Sequence, residues 1–335
     1  MSAATVMADP TARGVSRTEY LRLLLGPFWL RPESALWYAH EAVLAREYLG
    51  TPMRQPSLEL ACFDGTSTFV LLGGEFGLGF DVYGEVAWSP TSHRWGSLRE
   101  DYYNVSRADG DTAVDVRTPP EERFTVGLSA KRAHLQKAAR LGIHGELIEH
   151  DPNQPLAMLE DGRFATVWAP NIYWVDELSG LMREVRRILR PEGTCVTVLP
   201  DAAALQHMVF RFAEQTDADW IRDLDRGRYG NIARQARTTA QWRAFFRGAG
   251  LRVARHEPFL PRLVFQVNDI GLRPLFPVLM HIYETLRRSS PEEWRAIKQQ
   301  WIDTTFHFLA PLCRTDWMER MQLEPVWHIF ALQPE

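Results

Sequence analysis

The stretch LELACFDGTSTF, residues 58–69, has the pattern of a strand, a tight turn and a helix. Its apolar start contains one acidic residue, Glu59, and its turn contains Asp64 and Gly65. In an open doubly wound sheet the ligand lies beyond the carboxyl ends of the strands, where the loop after the first strand approaches it closely. Glycine allows that approach because it has no side chain. We interpret the stretch as a cofactor loop, although a strand, turn and helix without a ligand would share the pattern.

A second turn, APNIYWVDE over residues 169–177, combines polar and aromatic residues after another apolar run. It places Asn171 at a strand end and Tyr173 at the mouth of the expected cleft, where packing of the next helix is the other interpretation for Tyr173. His207 follows a later apolar run and is a candidate general base, because histidine titrates near neutral pH. A lone histidine on an apolar helix can equally be a packing residue. Tyr173 and His207 are therefore the candidate catalytic residues.

The elements that must position these turns alternate between short apolar runs and amphipathic helices. Predicted strands are PSLELACF, RFTVGLS, GELIEHD, RFATVWAPN, GTCVTVLPD, LRVARHEPFL and EPVWHIFALQP. Predicted helices between them are TSTFVLLGG, AKRAHLQKAARLG, DELSGLMREVRRILRPEG and TTAQWRAFFRGAG. Strands of this length alternating with helices of ten or more residues indicate an α/β fold with a doubly wound parallel sheet.

The remaining segments predict additions to this core. The predicted organisation is a disordered leader over 1–15, an N-terminal helical lid over 16–50, a Rossmann-like core over 51–200 with an insertion at about 84–122, and the end of the core over 201–335 with helical cap insertions at 201–238 and 264–322. Both cap insertions emerge at the carboxyl edge of the sheet, so they are expected to cover the active site.

Composition narrows the class of partner. The chain has 335 residues, 45% of them hydrophobic, and a formal net charge of −4. It can bury a full core, and its charge does not attract nucleic acid or an anionic membrane. The segment 222–247 holds seven arginines with Tyr229 and Trp242, which would suit RNA. In an acidic chain, a solvated helix face or a clamp for an anionic small molecule is the favoured interpretation.

The cysteines and the termini bear on compartment and metal. Cys62, Cys195 and Cys313 are far apart and lack the spacing of a zinc site, so we expect no metal and no disulfide framework. The N-terminus lacks the pattern of a secretory signal, and no uninterrupted apolar run of about 20 residues predicts a membrane span. The sequence thus predicts a cytoplasmic protein.

These motifs, taken together, resemble the class I S-adenosylmethionine-dependent methyltransferases. The family's first motif is an acidic and a hydrophobic residue followed by Gly-x-Gly-x-Gly, and here Glu59 is followed by Ala61, Phe63 and Gly65 at the glycine positions. Two of the three glycines are replaced. The segment 147–200 is more specific, and its order of acidic strand end, polar turn, helix and strand is similar to the later part of the family. The resemblance covers about two thirds of the chain.

The resemblance implies S-adenosylmethionine as the cofactor and assigns residues to it. Those implied to bind the cofactor are Glu59, Ala61, Phe63, Asp64, Gly65, Ser129, Asp151 and Asn171. Asp151 would lie by the adenine, and Asn171 would face the active centre. The family places an acidic residue on the ribose at the end of the second strand. If RFTVGLS is that strand, Ser129 occupies the position, whereas if GLGFDVY is that strand, Asp81 does. Short connections favour Ser129.

The resemblance further implies methyl transfer to a small organic acceptor, a sugar or a secondary metabolite, as in bacterial small-molecule methyltransferases. Aromatic walls at Tyr173 and Trp174 would suit a sulfonium cation. No nucleic acid or membrane partner is expected, and a homodimer is one candidate assembly. Because Ala61 and Phe63 depart from the motif, two alternatives remain: a repurposed fold that catalyses a cyclase or lyase reaction, and a non-catalytic pseudo-methyltransferase scaffold.

Overall fold

The computed structural model describes six ranges of the chain. These are residues 15–83, 114–216, 219–272, 275–286, 288–314 and 324–335. The predicted leader, apart from residue 15, and most of the predicted insertion at 84–122 lie outside the described residues.

Within the described ranges, nine strands form two sheets. In chain order they are β1 (Ser57–Leu60), β2 (Glu75–Phe76), β3 (Val116–Thr118), β4 (Phe124–Ser129), β5 (His144–Glu149), β6 (Phe164–Ala169), β7 (Leu189–Pro200), β8 (Leu251–Pro261) and β9 (Pro325–Pro334). The main sheet has the order β5-β4-β1-β6-β7-β9-β8, and β2 pairs with β3 in a separate ribbon. The five strands β5, β4, β1, β6 and β7 are parallel to one another, while β9 lies between β7 and β8 and is antiparallel to both. The predicted doubly wound, Rossmann-like α/β fold is confirmed.

Eleven α-helices are present in the described ranges. They are α1 (Arg17–Leu25), α2 (Pro32–Leu49), α3 (Thr66–Leu71), α4 (Arg132–Leu141), α5 (Leu178–Ile188), α6 (Val209–Thr216), α7 (Asp219–Gln235), α8 (Thr239–Gly248), α9 (Arg262–Gln266), α10 (Phe276–Leu286) and α11 (Pro291–Leu309). Ser16 caps α1 through a reciprocal capping box with Glu19, and Thr238 caps α8 with Gln241 in the same way. Each box satisfies backbone N–H groups that a helix start leaves without partners. No helix within the described ranges combines the length and apolar character needed to cross a membrane.

Two apolar layers sandwich the main sheet. The layer that contains α1, α2 and α3 includes the buried side chains of Leu36, Phe69 and Trp327. The opposite layer contains α5 and α8 and includes Leu181 and Phe246. Burial on both faces is the reason that the central parallel strands β1 and β6 are predominantly apolar, whereas β5 at the border of the sheet has no buried residue. The site must therefore lie beyond the ends of the strands rather than on either face of the sheet.

Two sequence-based boundaries change. The predicted helix that ended in LRPEG stops at Ile188, and Leu189 begins β7. Pro191 explains the earlier end, because proline has no N–H to donate and disfavours a helical residue before it. The segment GLGFDVY, residues 77–83, forms turns rather than a strand of the main sheet. β1 pairs with β4 and β6, and β4 is the next strand of the main sheet in chain order, so Ser129 stands at the end of the second strand of that sheet.

Candidate functional site

The loop after β1 keeps the backbone of a glycine-rich turn although it lacks two of the glycines. Ala61 has φ 64°, Phe63 has φ 49° and Gly65 has φ 77°. The left-handed region costs a residue with a Cβ atom about 1–2 kcal/mol. The three positions that a Gly-x-Gly-x-Gly motif would fill thus all have positive φ, and two of them bear that cost.

Asn171, in the turn after β6, is also left-handed, with φ 48°. Among the described residues, Ala61, Phe63 and Asn171 are the only non-glycine residues with positive φ. They all lie at the carboxyl ends of β1 and β6, two neighbouring strands at the middle of the main sheet. Backbone conformations of this kind cluster at ligand sites, where surrounding structure holds them.

Glu59 belongs to β1 and is buried, with 1% of its surface exposed. Its carboxylate binds the Nε2 atom of His144 at 2.7 Å and accepts a hydrogen bond from the hydroxyl of Thr68. His144 lies on β5, two strands away, and crosses β4 above Gly127, where an added Cβ would lie 2.5 Å from the imidazole. Gly127 therefore makes room for the histidine, and the predicted cofactor ligand Glu59 has internal partners.

A pocket of about 410 Å³, counted to its open mouth and here called the inner pocket, lies between α2, the loop after β1 and the turn after β6. Its lining includes Tyr38, Glu41, Glu59, Cys62, Phe63, Ser67, Thr68 and Asn171. The carboxyl group of Glu41 accepts hydrogen bonds at Oε2 from Trp37 Nε1 (3.2 Å) and Asn171 Nδ2 (3.4 Å). Burial raises the pKa of Glu41 to about 7, and the nearby carboxylate of Glu59 contributes in the same direction.

Glu41 was not predicted as a site residue. The sequence signal for it is an acidic residue four positions after Trp37 in the predicted N-terminal helical lid, and such a residue can equally face solvent, as Glu47 of the same helix does.

A second pocket of about 390 Å³, the outer pocket, lies at the ends of β1, β4 and β5. Its lining residues are Leu60, Ala61, Phe63, Leu128, Ser129, Ala130, Lys131, His134, His150, Pro152 and Trp174. The hydroxyl of Ser129 is 3.4 Å from His134 Nδ1. Burial is the main cause that lowers the pKa of His134 to about 4, so this imidazole is neutral at pH 7. Trp174 is half-buried, and its buried indole N–H has no acceptor among the described residues.

A broad cleft of about 2110 Å³, counted to its open mouth, covers both pockets. Tyr173 lines it and packs edge-on against Trp327, with ring centroids 5.5 Å apart. The caps contribute Arg228 and Asn268, and α2 with its preceding turn contributes Arg31, Ser34 and Trp37, so the lid and cap segments both border the cleft.

Phe63 lines the inner pocket, the outer pocket and the cleft. Its side chain is 38% exposed, and its ring centroid lies 5.8 Å from that of His134. The residue that replaces the second glycine of the motif thus stands between the two pockets.

The other predicted site residues take different positions. Asp64 lines the cleft, and its carboxylate accepts a hydrogen bond from Thr66 N at 3.0 Å. Gly65 faces α4, and a Cβ atom added to it would lie 3.2 Å from the side chain of Ile143. Asp151 is exposed and accepts from Asn153 within its own turn, while its neighbours His150 and Pro152 line the outer pocket.

Asp81, the alternative ribose ligand, and His207, the candidate general base, both have protein partners. The carboxylate of Asp81 accepts from Trp29 Nε1 at 2.9 Å and from Tyr83 N at 2.8 Å. His207 lies 3.7 Å from Glu324 and lines none of the three cavities. In the described part of the chain, no group of three or more His, Cys, Asp or Glu residues is placed to hold a metal ion.

Scans against protein-family models and curated proteins found no match to the chain. Among solved structures, it is similar to geranyl diphosphate C-methyltransferase from Streptomyces coelicolor, at 10% identity, with 92% of this chain and 84% of that chain covered and a TM-score of 0.43. It is similar to an S-adenosylmethionine-dependent methyltransferase from Thiobacillus denitrificans in complex with S-adenosylhomocysteine (12%, 83% and 84%, TM-score 0.39). A third is the cyclase SpnF (10%, 83% and 74%, TM-score 0.39). Such likenesses concern the fold alone, and the fold assignment rests on the strand order.

Proposed function

We propose that this protein transfers a methyl group from S-adenosylmethionine to a small organic acceptor. The observation that carries the proposal is the left-handed backbone at Ala61, Phe63 and Gly65, because a turn with no ligand to accommodate has no reason to keep these angles at a cost in stability. Asn171 adds a fourth such residue on the facing turn.

The three cavities correspond to the parts of such a reaction. The outer pocket, with Trp174 and an apolar floor, suits an adenine ring; the inner pocket, with Glu41, suits the amino acid end of the cofactor. When bound, the cofactor supplies an electrophilic methyl group on a sulfonium. The residues of the cleft hold the acceptor against it and exclude water, and Tyr173 offers a ring to the cation.

A small acceptor fits better than RNA. Within the arginine-rich segment, Arg228 pairs with Asp269, Arg234 pairs with Asp176, and Arg237 lies over the ring of Trp242 at 4.7 Å. Arginines with internal partners do not form the basic surface that a nucleic acid needs. We further propose that the protein acts in the cytoplasm and that it assembles as a homodimer. Sedimentation of the purified protein tests the homodimer.

Calorimetric titration with S-adenosylmethionine and S-adenosylhomocysteine tests the proposal. We expect both to bind with dissociation constants in the micromolar range, and turnover with an acceptor to release S-adenosylhomocysteine. Folded protein that binds neither compound would contradict it.

Two departures from the family motif favour a second function. The ring of Phe63 stands where the motif has only backbone, and Ser129 stands where a carboxylate would hold the ribose. A repurposed fold that catalyses a cyclase or lyase reaction would tolerate both changes. Product analysis separates these candidates from methyl transfer, since a lyase that cleaves the cofactor would release methylthioadenosine. A cyclase and a non-catalytic scaffold would release neither product, and conversion of an organic substrate without loss of the cofactor distinguishes the cyclase.

A further inference from the structure

The inner pocket contains two buried carboxyl groups, of which one has hydrogen-bond partners at both oxygens. Glu59 has His144 and Thr68 as partners, and both carboxylate oxygens take part in these contacts. A single imidazole can balance one carboxylate at most. When Glu41 is ionised, the two carboxylates and His144 therefore carry at least one uncompensated negative charge in a space removed from water.

The two oxygens of Glu41 differ. Trp37 and Asn171 both donate to Oε2, whereas Oε1 accepts no hydrogen bond from any described residue. Glu41 is 6% exposed and lines the inner pocket, so the surface that it retains belongs to that cavity. The side chain is held from one side, and an acceptor oxygen remains for a ligand.

The geometry selects the kind of cation. A guanidinium binds a carboxylate most strongly through two parallel hydrogen bonds to both oxygens, whereas Glu41 offers one free oxygen. An ammonium group is compact and has three donors, which the Oε1 atom of Glu41, the hydroxyl of Ser67 and the amide oxygen of Asn171 can accept around one cavity.

We propose that the inner pocket binds the ammonium group of a primary amine through the Oε1 atom of Glu41. The amine has two sources, the α-ammonium group of the cofactor and an amino group of the acceptor. The first source rests on the proposed function, and the second does not require the cofactor to be bound first.

Proton uptake and release follow from the surroundings of this carboxyl group. The titratable groups that line the inner pocket with it are Glu59 of β1, Cys62 of the following loop and Tyr38 of α2, and His144 of β5 holds Glu59. Burial and the Glu59 charge raise the pKa of Glu41, and an ammonium beside Oε1 would lower it again. Ammonium binding is thus expected to displace a proton near neutral pH.

The test is to measure the ionisation of Glu41 by isotope-edited infrared spectroscopy from pH 5 to 9, with Glu41→Gln identifying the carboxyl band. The probes are S-adenosylhomocysteine, which has the α-ammonium group, methylthioadenosine, which has the same nucleoside without it, and ethylammonium chloride. Glu47→Gln is the matched control, because Glu47 lies on the same helix and is exposed.

We expect S-adenosylhomocysteine to lower the pKa of Glu41 by about one unit or more and methylthioadenosine to leave it unchanged. The affinity for S-adenosylhomocysteine should then rise about fivefold to tenfold between pH 6 and 8 in the wild-type protein and in Glu47→Gln, but not in Glu41→Gln. The comparison of the probes uses wild-type protein and does not depend on the folding of a variant.

The remaining outcomes separate the two proposals. A pKa lowered by ethylammonium but not by S-adenosylhomocysteine assigns the site to an amine acceptor. If neither nucleoside binds while ethylammonium still lowers the pKa, the ammonium site stands and the proposed function fails. A Glu41 pKa that none of the three probes moves overturns the inference.

Discussion

The inner and outer pockets share Phe63 but differ in charge. The inner pocket has two carboxyl groups, Glu41 and Glu59, whereas the outer pocket has no carboxylate and is lined by Ser129, Lys131 and His134. The loop after β1 thus borders the inner pocket, which is suited to a cation, and the outer pocket, which has no carboxylate to accept hydrogen bonds from ribose hydroxyls. The comparison teaches that affinity for a ligand spanning both pockets must come mainly from the inner one, since charge-assisted hydrogen bonds are stronger than neutral ones.

The largest effect is expected from breaking the internal pair of the inner pocket. His144→Ala leaves the Glu59 carboxylate buried with Thr68 as its remaining partner, which should lower the free energy of unfolding by about 3–5 kcal/mol. Denaturant titration measures this, with His150→Ala as a control in which the change should be small, because the His150 imidazole forms an exposed contact with Gln154 O rather than a buried ion pair. A loss below 1 kcal/mol would mean that Glu59 has another partner when His144 is absent.

The pH dependence of stability should show the other inner carboxyl group. The folded protein raises the pKa of Glu41 from 4.5 to about 7, so it keeps a proton that the unfolded chain has lost. The free energy of unfolding should therefore fall as pH rises from about 4.5 to about 7, by about 3 kcal/mol from this group. Glu41→Gln removes this contribution, and equal slopes for both proteins over that range would refute it.

Phe63→Gly tests what separates the pockets. Removing the ring should raise the affinity for S-adenosylhomocysteine about tenfold, and glycine also relieves the left-handed backbone by about 1 kcal/mol. Phe63→Ala is the matched variant, in which the same affinity gain is expected without that relief. If calorimetry shows weaker binding in both, the ring is a contact for the ligand rather than an obstacle.

The smallest effect concerns the outer pocket. Ser129→Asp should strengthen S-adenosylhomocysteine binding about threefold by offering charge-assisted acceptors to the ribose hydroxyls, whereas Ser129→Asn should change it little. A gain with Asn equal to the gain with Asp would show that charge at this position is irrelevant.

The fold could be predicted because its signals are local. The apolar stripe of α5 and the apolar runs of β1 and β6 are read within a few residues, and alternation of such elements leaves few topologies. The same holds for the start of the cofactor loop, whose strand, turn and helix are contiguous from Ser57 to Leu71.

The chemistry of the inner pocket could not be predicted in that way, because it joins distant segments. Glu41 meets Asn171 across 130 residues, and Glu59 meets His144 across 85. In the sequence, Glu59 looks like a ligand of the cofactor, and only the packing of β5 beside β4 gives it a protein partner. The predicted N-terminal lid places the helix of Glu41 beside the site, but nothing local to Glu41 indicates that its side chain meets the turn after β6.

The crossing of His144 above Gly127 also has a meaning for how the sheet assembles. Glu59 and Gly127 are register partners in the pairing of β1 with β4, and His144 reaches them from β5. A slip of one residue in β4 would put a side chain in the path of the imidazole and strand a charge in the interior. Glu59, Gly127 and His144 therefore specify the register of the strands. A redesign that changes one of them should change all three together.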